Sequence, residues 1–146
     1  MKDRKGADMD EMVDILDVPA MERIRALRQG IHVQVAATFA RKLGFTLDQL
    51  CEVLGVDMPA ARSRGRLSPV ASERVLSLFR LVTLVDSLIE RSGDPREFSA
   101  VTWLSVWLRQ SNPALGGVRP VELLDTEEGM QMLARRIAQM ESGAYA

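Results

Sequence analysis

The side chains best suited to act on another molecule lie in two short segments, the first between residues 62 and 66. Arg62, Arg64 and Arg66 alternate there with Ser63 and Gly65, and no acidic residue interrupts them. Arginine binds a guanine edge or a phosphate through paired hydrogen bonds, and serine adds a contact to phosphate or base. Arginine-rich helix ends are also common on solvated surfaces. The segment therefore indicates either a DNA contact or an ordinary charged helix end.

The second segment is the end of the sequence, Gly143-Ala144-Tyr145-Ala146. Gly143 is suited to end a helix, the alanines keep the segment narrow, and Tyr145 offers one rigid aromatic ring with a polar tip. A peptide of this kind, ending in a carboxylate, fits a narrow concave site on another protein. On chemistry alone, a frayed terminus without a partner is the alternative.

The remaining residue types give no support to an enzyme or a metal site. The sequence holds one histidine, His32, and one cysteine, Cys51. It has no metal-ligand spacing, no glycine-rich phosphate loop after a strand and no serine in a G-x-S-x-G frame. Gly116-Gly117 alone is too weak a signal. We expect His32 at the surface or at a helix start, Cys51 in the core, and neither a catalytic residue nor a cofactor.

Length and charge limit the partners. The sequence has 146 residues, enough for one domain or two very small ones, and its net charge is −1. With no general basic field, any DNA contact must rest on a local patch. No apolar run is long enough to cross a membrane, and the first residues lack the apolar core of a signal peptide. One cysteine excludes an internal disulfide, so the sequence predicts a cytoplasmic protein.

Helical signals surround the arginine segment. Residues 32–42 carry apolar side chains at helical spacing. Thr46 and Gln49 predict a capping box for a helix that ends at Gly55, and a second short helix is predicted from Met58-Pro59. Helix, short turn and helix is the helix-turn-helix arrangement, although an ordinary corner between two helices has the same spacing.

Three longer helices are predicted after the arginine segment, at 69–91, 95–110 and 126–141, each with a Ser, Asp or Thr cap at its start. No alternating strand pattern appears, so the predicted fold class is all-α. Residues 1–18 are charged and weakly periodic, which predicts a flexible arm. The apolar arc of helix 69–91 is wider than one packing face needs, which suits a core helix, a dimer contact or both. The predicted dimer residues are Leu78, Val82, Val85 and Ile89.

Several C-terminal motifs follow one another at fixed spacing: Trp107-Leu108, Asn112–Gly117 (NPALGG), Arg119–Thr126 (RPVELLDT), Gly129 and the final ESGAYA. Together they resemble the toxin-binding domain of the Xre/MbcA/ParS antitoxin family. With the helix-turn-helix-like stretch before them, the likeness covers roughly residues 30 to 146. Because several spacings agree, the resemblance is more specific than any single motif.

The resemblance implies an antitoxin with an Xre-like helix-turn-helix domain at 19–67 and a toxin-binding domain at 68–146. In such antitoxins the C-terminal segment docks in the active-site cleft of the cognate toxin and blocks it. The partner implied is a RES-domain toxin that degrades NAD⁺, so the NAD⁺ chemistry would belong to the toxin. The toxin-binding residues implied are Gly143, Ala144, Tyr145 and Ala146, with weaker contacts at Arg135, Arg136 and Met140.

The resemblance also implies a homodimer that represses its own operon through DNA contacts at Arg62, Ser63, Arg64 and Arg66. The alternative from another functional class is a plain Xre-like transcriptional repressor. In that case the C-terminal helices would serve only for dimerisation, and the chain would have no toxin partner.

Overall fold

The structure, a computed structural model, describes residues 4–57, 65–92 and 99–141, and it divides into two compact units, Met1–Leu76 and Ser77–Ala146. Regular elements in the described ranges are all helical, apart from one isolated antiparallel bridge, which confirms the all-α fold class. None of the described helices is long and apolar enough to cross a membrane. The helices are α1 (Arg4–Asp17), α2 (Ala20–Gln29), α3 (Val33–Lys42), α4 (Leu47–Leu54), α5 (Pro69–Ser92), α6 (Ala100–Leu108) and α7 (Glu127–Glu141), with 3-10 helices at Pro113–Leu115 and Pro120–Leu123.

Helix α1 occupies most of the region, residues 1–18, that the sequence predicts to be a flexible arm. On one of its faces, Met12 and Ile15 are buried. The helix packs on α2 and α3, and Glu11 accepts a hydrogen bond from the backbone N–H of His32 at 3.0 Å. Two apolar side chains packed against neighbouring helices stabilise α1 in a charged segment whose local periodicity is weak.

The helices predicted on either side of Thr46 are present. The Thr46 hydroxyl accepts from the Gln49 N–H at 3.1 Å, and the Gln49 side chain accepts from the Thr46 N–H at 2.9 Å, so the capping box is confirmed. Gly55 ends α4 in the left-handed conformation, with φ at 72°. The second short helix, predicted from Met58, lies outside the described residues.

A backbone pairing joins the chain before α3 to the chain before α5. The Leu67 N–H donates to the Ile31 carbonyl at 2.8 Å, and the Ile31 N–H donates to the buried Ser72 hydroxyl at 2.9 Å. A Cβ atom at Gly30 would overlap the Leu67 carbonyl oxygen, and the φ of Gly30 is 95°. L-residues avoid this conformation, so the two segments approach at a point that only glycine permits.

Helix α5 starts as predicted, because the Ser68 hydroxyl accepts from the Ala71 N–H at 3.1 Å. The division between the units falls at residues 76–77, inside α5 rather than before it. The boundary differs from the predicted one because the beginning of α5 is tied to the first unit through the hydrogen bond between Ser72 and Ile31.

Helix α6, in the second unit, is capped by Ser99, whose hydroxyl accepts from the Thr102 N–H at 3.3 Å. The predicted start at Asp94-Pro95 lies outside the described residues. Trp103 and Trp107, one turn apart, stack with their ring centroids at 5.5 Å and their planes at 17°. Trp107 is buried, whereas Trp103 is only half-buried.

The chain between α6 and α7 is fixed by side-chain caps. The Asn112 side chain accepts from the Ala114 N–H at 2.9 Å, and the Thr126 hydroxyl accepts from the Gly129 N–H at 2.9 Å, which confirms the predicted start of the last helix. A side chain at Gly129 would overlap the carbonyl oxygen of Leu123. The inner face of α7 is buried at the predicted positions Met130, Leu133 and Ile137.

We expect Gly30→Ala to lower the free energy of unfolding by about 3 kcal/mol, because it adds a backbone clash to a strained dihedral. Gly65→Ala is the matched control. Its φ is also positive, at 74°, but a Cβ atom there would meet nothing within 4 Å. That change should cost about 1 kcal/mol. Urea unfolding of both variants measures the difference, and equal costs would contradict the account of the pairing.

Candidate functional site

The structure describes only some of the residues predicted to act on partners. Arg62, Ser63 and Arg64 lie outside the described residues, as do all four tail residues, 143–146. Arg66 in the first unit is described, together with Arg135, Arg136 and Met140 in the second. Candidate surfaces are therefore built from the elements that flank the arginine segment and from those that precede the tail.

Arg66 combines an interior contact with partial exposure. Its Nη1 donates to the Gly30 carbonyl at 2.9 Å, and its backbone forms the isolated bridge with His32. The side chain is half-buried. A guanidinium has five N–H donors, so this hydrogen bond leaves others for a second acceptor. Arg66 therefore fixes the backbone where the arginine segment ends.

The chain on both sides of residues 58–64 is anchored within the first unit. Before that segment, the Leu54 carbonyl accepts from Nη1 of Arg74 at 2.6 Å. After it, Leu67 is paired with Ile31. Hydrogen bonds therefore fix the backbone immediately before and after residues 58–64. An element that contacts bases or phosphates needs such fixed attachment points.

His32 and Cys51 have the structural roles expected of them. His32 precedes α3 as its N-cap residue, and its ring Nδ1 lies 2.5 Å from a carboxylate oxygen of Glu11. Cys51 is buried in the core beside α4 residues that are also buried. The described residues contain no group of three or more potential metal ligands.

The second unit presents a groove of about 670 Å³ between α6, the first 3-10 helix and α7. The stacked tryptophans form part of its wall, together with Val106, which is 52% exposed. A single exposed apolar side chain is normal on a free surface, so Val106 is of interest only as part of the same groove wall as the tryptophans. The lining includes Trp103, Val106, Trp107, Asn112, Arg136 and Met140.

A second, smaller groove of about 430 Å³ adjoins the first through residues that line both. Its wall includes Met132, which is 39% exposed, and the exposed Arg135. Val106 and Met132 were not predicted as functional residues. The signal for Val106 is the composition of α6, which is apolar on nearly every side and so has more apolar surface than one core contact can cover.

Arg136 lines both grooves and is the predicted residue with the most unusual environment. Its Nη1 donates to the Gln139 side chain at 3.1 Å. Its Nε is buried and has no hydrogen-bond partner within the part of the chain that the structure describes. A buried guanidinium donor without an acceptor is costly, and native structures usually supply a partner for it. Met140, also predicted, is half-buried in the larger groove.

The four predicted dimer residues on α5 differ in exposure. Leu78 and Val85 are covered by the chain itself, whereas Val82 and Ile89 are half-buried. Burial of the first two follows from the wide apolar arc of α5, part of which packs in the core. Of these four residues, Val82 and Ile89 are therefore the two whose apolar surface a second copy can reach.

Comparisons with known proteins match each half of the chain to a family of antitoxin domains. Residues 22–80 match the family described as Antitoxin Xre-like helix-turn-helix domain, and residues 98–143 match the family described as Antitoxin Xre/MbcA/ParS C-terminal toxin-binding domain. The chain is also similar to a protein of Sphingobium sp. (strain YBL2) that is named Prs ADP-ribosylating antitoxin. The two are 37% identical over 130 residues, which cover 86% of this chain and 82% of the relative.

Proposed function

We propose a partner and a mechanism from one premise: the chain belongs to the Xre/MbcA/ParS family of antitoxins. It is accordingly an antitoxin of a toxin–antitoxin system and contains a helix-turn-helix domain. A plain repressor without a toxin partner would have no use for the toxin-binding domain that residues 98–143 match.

The toxin partner in this proposal is a RES-domain protein that consumes NAD⁺. The likeness of the C-terminal motifs supports this choice. The name of the Sphingobium relative also associates that antitoxin with ADP-ribosylation, a reaction that takes its ADP-ribose group from NAD⁺. Hydrolysis of NAD⁺ and transfer of ADP-ribose to a protein both break the bond to nicotinamide. Both activities are therefore compatible with one kind of active site blocked by this antitoxin.

Neutralisation in this proposal is steric and depends on residues 143–146. In sequence these residues follow α7, which ends at Glu141, after the single residue Ser142, and the toxin-binding match extends to Gly143. The grooves beside α7 supply the contact area, with Arg135, Arg136 and Met140 at the toxin surface. The tail then places Tyr145 in the active-site cleft, where it excludes NAD⁺. The antitoxin itself needs no cofactor.

The tail is tested by a chain that ends at Ser142. Burial of Tyr145 and its neighbours is worth a few kcal/mol at roughly 25 cal/mol per Å², and ordering the tail offsets most of it. Loss of the tail should therefore weaken toxin binding by only about tenfold but abolish inhibition of NAD⁺ consumption at saturating antitoxin.

Calorimetric titration measures the toxin binding of the shortened chain, and an NAD⁺ assay measures its inhibition of the toxin. Tyr145→Phe, which keeps the ring, is the control and should still inhibit. Full inhibition by the truncated chain would contradict steric blocking.

DNA binding by the helix-turn-helix domain is the second part of the proposal, with autorepression of the operon as its result. Its contacts are assigned to Arg62, Ser63, Arg64 and Arg66. The anchored chain on both sides of residues 58–64 and the match of residues 22–80 support this assignment. A homodimer, with Val82 and Ile89 as its apolar contact, would present two such domains to a symmetric operator.

The DNA contact is tested with the double variant Arg62→Gln/Arg64→Gln and promoter DNA of the chain's own operon. Each lost phosphate contact should reduce the slope of log K against log salt by about 0.9, so the double variant should reduce it by about 1.8. Arg25→Gln/Arg28→Gln removes the same charge from exposed positions on α2 and is the control. Electrophoretic shifts at several salt concentrations measure the slopes. An unchanged slope in the first variant, or an equal change in both, would refute the assignment.

A further inference from the structure

The two grooves beside α7 share a chemical character that points to the nature of their occupant. Among the described residues, Arg136 is the one ionisable residue that lines the larger groove, and Arg135 and Arg136 are the only ones that line the smaller groove. The rest of the walls is apolar or carries neutral amide and hydroxyl groups. A site with arginine as its only charge and apolar walls around it is complementary to a carboxylate flanked by apolar side chains.

Arg136 supplies the second observation, because its buried Nε has no acceptor among the residues that the structure describes. The hydrogen bond to Gln139 holds the far end of the guanidinium, at Nη1, and so fixes the direction in which Nε points. An acceptor that reaches Nε must come from outside the described residues. A carboxylate is the acceptor that a guanidinium fork matches best.

We propose that these grooves receive an acidic segment of the toxin, with a toxin carboxylate on the half-buried guanidinium of Arg136 and an apolar toxin side chain against Val106 and the tryptophan pair. This inference rests on the proposed function, since it names the toxin as the occupant, and it adds the chemistry of the docking contact. Arg136 is the anchor of that contact. Arg135, which is exposed and lines only the smaller groove, contributes general attraction.

The pair Arg136→Gln and Arg135→Gln tests the anchor, because both variants remove one positive charge from adjacent positions of the same helix. Binding of each full-length variant to the toxin encoded next to its gene, made by cell-free synthesis, is measured by calorimetry. Arg136→Gln should weaken binding about tenfold to a hundredfold, and Arg135→Gln by less than about threefold.

At about 0.5 M salt the loss of affinity caused by Arg136→Gln should persist, since a buried ion pair is poorly screened by salt. Thermal unfolding should show little change in stability in Arg136→Gln, because the variant loses one exposed hydrogen bond to Gln139 but also removes a buried Nε that has no partner among the described residues.

The sign of the occupant's charge is tested at Val106, whose exposure allows a polar side chain without loss of the core. Val106→Glu should bind the toxin at least about tenfold more weakly than Val106→Lys, because only the first places a like charge beside an incoming carboxylate. The two side chains are similar in length, so steric effects largely cancel in the comparison. Equal affinities, or the reverse order, would overturn the acidic occupant.

Two further outcomes overturn the proposal while leaving the proposed function intact. In the first, Arg136→Gln binds the toxin with the same affinity as the unmodified chain, while the chain that ends at Ser142 fails to inhibit it. That pair of results supports steric blocking by the tail and contradicts the docking contact at Arg136. If the effect of Arg136→Gln disappears once residues 143–146 are removed, the carboxylate on Arg136 comes from the antitoxin's own tail rather than from the toxin.

Discussion

The close backbone approach of Gly30 to Leu67 is the constraint on which the first unit depends. Because no side chain separates them, the Leu67 N–H reaches the Ile31 carbonyl, and the Ile31 N–H reaches the buried Ser72 hydroxyl. One contact thus connects the start of α3, the end of the arginine segment and the first turns of α5. Without it, the segment between α4 and α5 would lose its fixed end, and a DNA-contacting element would lose its register.

In the second unit, helix caps and core packing fix the backbone, whereas the outer surface carries an exposed apolar side chain and a buried donor with no acceptor among the described residues. Side-chain caps at Asn112 and Thr126 fix the connection between α6 and α7, and the inner face of α7 is buried. On the outer side, by contrast, Val106 is exposed, and no acceptor for the buried Nε of Arg136 lies within residues 4–57, 65–92 and 99–141. An unsatisfied buried donor costs about 1–3 kcal/mol, which a bound partner can return on association. Proteins commonly keep such features where a second molecule completes them.

Local chemistry explains which elements the sequence predicts. The capping box at Thr46 and the cap at Thr126 each depend on residues within three positions of one another, so their signals are complete in the sequence. Helix α1 was missed because its stability comes from packing on α2 and α3, which local periodicity does not contain. The grooves were missed for the same reason. Arg136 was proposed from family likeness, but its orphaned Nε and its place between two grooves arise only when α6 and α7 are brought together.

Co-expression of this chain with the adjacent open reading frame tests the central claim most directly. The complex would be recovered through a tag on the antitoxin, and NAD⁺ would be measured in cells that make the toxin with and without it. The account predicts a stable complex and loss of NAD⁺ only when the antitoxin is absent. A recovered complex with no NAD⁺ loss in either culture, or NAD⁺ loss that the antitoxin fails to prevent, would contradict it.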